Sequence, residues 1–102
     1  MTYRDKILDD ILIERMHQDQ KWGRQRHHGH VWMTILGEEY GEACAAMLEC
    51  DRAIQDNVFF KAVAHYREEL VQVAATALAA LECLGNIDDD DSFNSPTSGN
   101  GN

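Results

Sequence analysis

Glu38, Glu39 and Glu42 form a Glu-Glu-x-x-Glu block, and Glu69 with Gln72 repeats its three-residue step further along the chain. On a helix, side chains three apart lie on the same side, one turn from each other. If the two helices pack antiparallel, two pairs of oxygen ligands face each other across the bundle. Such hard donors suit Mg²⁺ or Mn²⁺, which keeps several waters and takes further ligands from phosphate oxygens. A di-iron arrangement is not expected, because neither segment carries Glu-x-x-His. At about 100° per residue, Trp32, Ile35, Leu36, Ala43, Ala46, Met47 and Cys50 mark one helix face; Glu39 lies in its middle and Glu42 on its border. A carboxylate on a core-facing stripe is costly to desolvate unless it is paired, protonated or bound to metal. Most glutamate pairs on helices belong to solvated faces. The position of Glu39, and a second Glu-x-x-Gln where an apolar helix begins, argue against that reading here.

Arg15, Gln18 and Lys21 follow at helical steps of three. They read either as a grip for phosphate oxygens or as an ordinary solvated edge. Trp22, between Lys21 and Gly23, is the candidate for stacking on a base or forming a loop lid, whereas Trp32 continues the apolar stripe and reads as core. His27, His28 and His30 share one loop, but no cysteine stands nearby at ligand spacing, so zinc is not the expected partner. His17 and His65 carry no further signal.

These residues must be positioned by helices. A first helix is expected from Thr2 or Tyr3 to about Gln20, with Ile7, Leu8, Ile11, Leu12 and Met16 on one face. Trp22 to His30 reads as a loop punctuated by two glycines. A second helix follows over Val31–Ala53, then a turn at Gln55-Asp56-Asn57 with Asp56 or Asn57 as cap, and a third helix from Phe59. The third is amphipathic through Phe60, Val63 and Tyr66 and apolar almost all round from Leu70 to Leu84. Such a helix needs more cover than two others supply, so packing across a subunit interface is expected. No segment alternates with period two, and the one proline lies near the C-terminus. The expected class is all-α, a helical bundle completed by oligomerisation as a homodimer or homotetramer.

The 102 residues fit one small domain, 1–86, followed by a tail, 87–102, whose Asp88–Asp91 run and Ser/Gly/Asn-rich end cannot bury enough apolar surface to order. A net charge of −9 with a pI near 4.8 argues against nucleic acid as a partner. Leu70–Leu84 is shorter than a bilayer span and carries Gln72, Thr76 and Glu82, so no membrane segment is expected. Three cysteines without CxxC spacing, and no secretory leader, fit a reducing cytoplasm.

Three blocks carry a family resemblance: Glu14-Arg15-x-x-Gln18-Asp19-x-Lys21-Trp22-Gly23-x-Gln25-x-His27, Trp32-x-x-Ile35-Leu36-x-Glu38-Glu39-x-Gly41-Glu42, and Arg67-Glu68-Glu69-Leu70-Val71-Gln72 running on through Val73-Ala74-Ala75. In order and spacing they resemble the MazG-like all-α nucleoside triphosphate pyrophosphohydrolases, in particular the short bacteriophage-type members, over about Glu14 to Leu84. The resemblance implies the all-α NTP pyrophosphatase fold and hydrolysis of an NTP or dNTP to the monophosphate and pyrophosphate, with Mg²⁺ or Mn²⁺ held by helix carboxylates. Glu39, Glu42 and Glu69 match acidic metal-ligand positions, Glu38 matches the acid that orients or deprotonates water, and His27 matches a substrate-side residue. Gln72 departs from the family's Asp and offers only a neutral amide oxygen. The phage-type likeness includes a MazZ branch acting on guanine nucleotides, which makes dGTP or GTP the implied substrate; a phage-encoded chain would work in the host cytoplasm. The alternative is a non-catalytic helical protein that binds a nucleotide or a host partner, with Gln72 as the trace of a degraded site.

Overall fold

The computed structural model describes residues 1–54 and 58–89, the last four as backbone. Three helices account for nearly all of them: α1 (Tyr3–Trp22), α2 (Gly29–Ala53) and α3 (Phe59–Asp89). Among the described residues there is no strand, and no helix is long and apolar enough to cross a membrane.

Local chemistry sets the boundaries. Thr2 caps α1 through a reciprocal pair: its Oγ1 accepts from the Asp5 amide at 3.1 Å, and Asp5 Oδ2 accepts from the Thr2 amide at 3.0 Å. This satisfies two donors that a bare helix start would leave open. The helix runs to Trp22, two residues past the expected Gln20, and stops where Gly23 turns to φ 73°, its amide donating to the Asp19 carbonyl at 2.8 Å. That backbone angle favours glycine. α2 starts at Gly29 rather than Val31, because the His28 carbonyl already accepts from the amides of Val31 and Trp32 at 3.0 and 3.1 Å. α3 passes through Gly85 and continues to Asp89. The cap expected at Asp56 or Asn57, and most of the expected tail, lie outside the described residues.

α3 is the central element: α1 and α2 each pack on it and, among the described residues, not on each other. The α2–α3 seam is built from small side chains. Cys50, Ala53 and Ala62 are buried together with Tyr66 packed against them, and Ala43, Ala46 and Ala75 are buried elsewhere in the bundle. Trp32, 6% exposed, is core as expected. α1 has no fully buried residue. Of its expected stripe, Ile7 and Ile11 are half-buried, but Leu8, Leu12 and Met16 each remain at least half exposed. One helix can cover only part of that stripe. Leu70, Leu81 and Leu84 of α3 are exposed as well, because the two helices packed on it leave part of its surface open.

Two polar ties hold α1 to α3. The Arg67 guanidinium meets the Tyr3 hydroxyl and lies 3.5 Å from Asp10 Oδ2. Towards the other end, Arg15 Nη2 lies 2.6 Å from Glu82 Oε1 and 3.0 Å from Asp19 Oδ1.

Candidate metal centre

The spacing of Glu39 and Glu42 puts both on the side of α2 that faces α3, and the antiparallel return of the chain sets Glu69 opposite them. One carboxylate oxygen from each residue lies within 4.8 Å of the others. Among the described residues this is the group of His, Cys, Asp or Glu side chains that converges closely enough for a cation. Glu39 and Glu69 are half-buried and Glu42 is exposed, so the cluster opens to solvent on one side. Glu39 Oε1 and Glu69 Oε1 are buried and have no hydrogen-bond partner.

Burial pushes the Glu39 carboxyl above the usual carboxylate range, and the nearby charges of Glu42, Glu69, Glu14 and Glu38 push it in the same direction. Converging carboxylates with buried oxygens lacking donors are an arrangement that a divalent cation relieves. Three carboxylates fit Mg²⁺ or Mn²⁺ as donors and leave further positions for water or phosphate.

Glu38, exposed, follows the apolar face only as a neighbour in sequence and acts on Glu39 through its charge. Gln72, one turn beyond Glu69, lines a cleft of about 340 Å³ with Asp10, Glu14, Arg67, Glu68 and Val71. Glu14 of α1 acts on Glu39 through its charge; it stands in the first sequence block, which gave it no role.

Gln18, Trp22, Gln25, Trp32, Ile35, Glu39 and Thr76 line a cavity of about 260 Å³ beside the cluster. Gln18 and Trp22 are thereby brought next to Glu39. Trp22 remains 59% exposed, and Lys21 Nζ sits 4.8 Å from the centre of its ring. His27 packs edge-on against Trp32 with ring centres 4.8 Å apart; its Nε2 and the Trp32 Nε1 are buried without partners. His28 and His30 stack on each other at 6.0 Å. Arg15 is engaged elsewhere. It donates to Gln18 Oε1 at 3.1 Å, and its bonds to Glu82 and then Asp19 hold its guanidinium even more firmly protonated.

His65, which carried no signal in the sequence, belongs to this region. Its Nε2 lies 3.3 Å from Glu69 Oε2, and its Nδ1 lies 3.4 Å from Glu49 Oε1. The clue available in the sequence was its place one helical turn before Glu69.

Comparison with protein-family models, curated proteins and solved structures found no match to the chain.

Proposed function

We propose that Glu39, Glu42 and Glu69 hold Mg²⁺ or Mn²⁺ and through it bind the phosphate chain of a nucleoside triphosphate, which the protein hydrolyses to the monophosphate and pyrophosphate. The observation that carries this reading is the pair of buried, unpartnered oxygens, Glu39 Oε1 and Glu69 Oε1, in a group that Glu42 completes within 4.8 Å. The three sequence blocks support the MazG-like form of the activity, with which an all-α bundle is compatible, and the preference for a guanine nucleotide rests on that resemblance alone.

A divalent ion supplies neutralisation of the phosphate oxygens, without which the carboxylates repel a triphosphate. Glu38 directs water at the α-phosphorus and takes its proton. The water oxygen bonds to that phosphorus as the α–β bridging bond breaks, and pyrophosphate leaves with the bonding electrons. Gln18 and Trp22 serve the nucleoside in the cavity beside Glu39, with His27 behind Trp32. Lys21 and Arg15 are the cations on that side, and Arg15 reaches phosphate by leaving Glu82. The exposed Leu8, Leu12, Met16 and Leu81 support a homodimer or homotetramer, because apolar residues in such number on one small chain mark a covered face. Residues 1–86 are the working domain in this reading, with 87–102 as its tail and the cytoplasm as its location.

Gln72 favours a second reading, in which the same site binds a metal–nucleotide complex, or a host partner, without cutting. Its amide adds no charge to the three carboxylates. Release of monophosphate and pyrophosphate from a nucleotide panel with Mg²⁺ or Mn²⁺, abolished in Glu39→Gln, supports hydrolysis. Metal-dependent nucleotide binding without product from any member of the panel selects the second reading, and nucleotide binding of equal strength in excess chelator overturns both.

A further inference from the structure

The carboxylate cluster lies between two cavities of opposite character. On the α1 side is the one lined by Gln18, Trp22, Gln25, Trp32, Ile35, Glu39 and Thr76, which contains no basic side chain. Towards the α2–α3 turn is another of about 310 Å³, lined by Glu49, Arg52, Ala53, Val58, Lys61, Ala62 and His65. Its described lining residues include two full cations and a histidine against one carboxylate, on a chain whose net charge is −9. Among the described residues neither Arg52 nor Lys61 has an ion-pair partner. His65 joins this cavity to the cluster, since its ring also lines the cavity and its Nε2 is 3.3 Å from Glu69 Oε2.

Helix geometry sets the scale. At a rise of 1.5 Å per residue, Thr76 lies about 10 Å from Glu69 along α3, and Lys61 lies about 12 Å from it in the other direction. An oligophosphate anchored at the cluster would extend past His65 towards Lys61 and Arg52, with its nucleoside in the cavity beside Glu39 that holds no basic side chain. We propose that the cavity lined by Arg52, Lys61 and His65 is an anion subsite for the terminal phosphates of the substrate, so that pyrophosphate departs towards the α2–α3 turn. This rests on the reading of the cluster as a metal–triphosphate site, and it adds a direction to the bound substrate. Arg52 presents a planar fork and Lys61 a mobile point charge, both suited to phosphate oxygens.

The test is calorimetric titration of the full chain with inorganic pyrophosphate, in Mn²⁺ and separately in excess chelator. The proteins compared are wild type, Arg52→Ala/Lys61→Ala and the charge-conserving Arg52→Lys/Lys61→Arg. The alanine pair should weaken pyrophosphate binding by at least about tenfold, and the conservative pair should restore most of it. Mn²⁺ affinity and nucleoside monophosphate binding should stay unchanged in both. Equal pyrophosphate affinity in wild type and the alanine pair overturns the subsite, as does a wild type that binds Mn²⁺ but no pyrophosphate. If Mn²⁺ itself fails to bind, the metal reading falls, and the chelator titration alone decides: a loss confined to the alanine pair upholds the anion site, and no difference or no binding overturns it.

Discussion

Replacing Glu39 with glutamine should stabilise the metal-free protein while removing its response to metal. The carboxylate oxygens of Glu39, Glu42 and Glu69 lie within 4.8 Å of one another. At that separation two unit charges repel by about 3.5 kcal/mol at an effective dielectric of ~20 and by about 0.9 kcal/mol in water. Glu42 is exposed, so the lower end applies to its pair, and about 1 kcal/mol of relief is the expected gain. For a domain of this size 1 kcal/mol corresponds to roughly 4–8 °C in Tm. The pH dependence has a definite sign. Because the folded protein holds the Glu39 proton to higher pH than the unfolded chain does, the native state binds more protons between the two pKa values. Stability therefore falls as pH rises through that window and stays lowered above it. Glu39→Gln should match wild type below the window and exceed it above. With Mn²⁺ at ~100 times its Kd, wild type should gain about 2.7 kcal/mol, and the variant should gain much less. Thermal unfolding followed by circular dichroism over a pH series, with chelator and with Mn²⁺, measures all of this. A variant less stable than wild type in chelator at neutral pH, yet still stabilised by Mn²⁺ to the same extent, would refute the reasoning.

Gln72→Asp supplies the fourth carboxylate, so Mn²⁺ affinity should rise by roughly fivefold, equivalent to about 1 kcal/mol, with a matching loss of metal-free stability; an unchanged titration would place Gln72 outside the ligand set. Leu8→Glu with Leu12→Glu puts charges on the half-exposed face of α1, and light scattering should show wild type as a dimer or tetramer and the variant as a monomer. A wild type that elutes as a monomer at micromolar concentration counts against a covered face. Glu82→Gln removes the 2.6 Å partner of Arg15 and should cost about 0.5–1 kcal/mol in denaturant unfolding, since Glu82 is half exposed and Asp19 keeps hold of the guanidinium. A loss of several kcal/mol would show that this tie carries more of the α1–α3 packing than its exposure implies.

Helical periodicity placed α1, α2 and α3 to within a few residues wherever one face alternates clearly with another. It also singled out Glu39, because a charge on the Trp32–Cys50 stripe is anomalous in one dimension. The convergence of Glu69 on Glu39 and Glu42 followed from the short turn, which forces antiparallel packing. α3 runs past Gly85, because a helix can carry glycine at a modest cost and nothing crowds that position. The engagement of Arg15 by Glu82 was not legible, since the two residues are far apart in the chain and surface arginines have many possible partners. His65 was passed over because its value comes from facing Glu69 along its own helix and Glu49 across the seam, and only the second helix fixes that. The incomplete burial of Leu8, Leu12 and Leu70 was foreseen for α3 but not for α1, whose stripe looked complete until α2 proved not to pack closely on it.

All three carboxylates belong to the α2–α3 hairpin, and α1 donates none of them. An ion seated there closes a single chain loop, so its binding energy acts as folding energy for that hairpin and reaches α1 only through α3. The molecule then divides into two units of unequal persistence. The metal-clasped hairpin should hold its amide protons longest, while α1, tied by Arg67 at one end and Arg15 at the other, opens on its own and exposes the cavity beside Glu39 without unseating the ion. On the proposed reading, access for a nucleoside and retention of the metal would then fall to different parts of the chain.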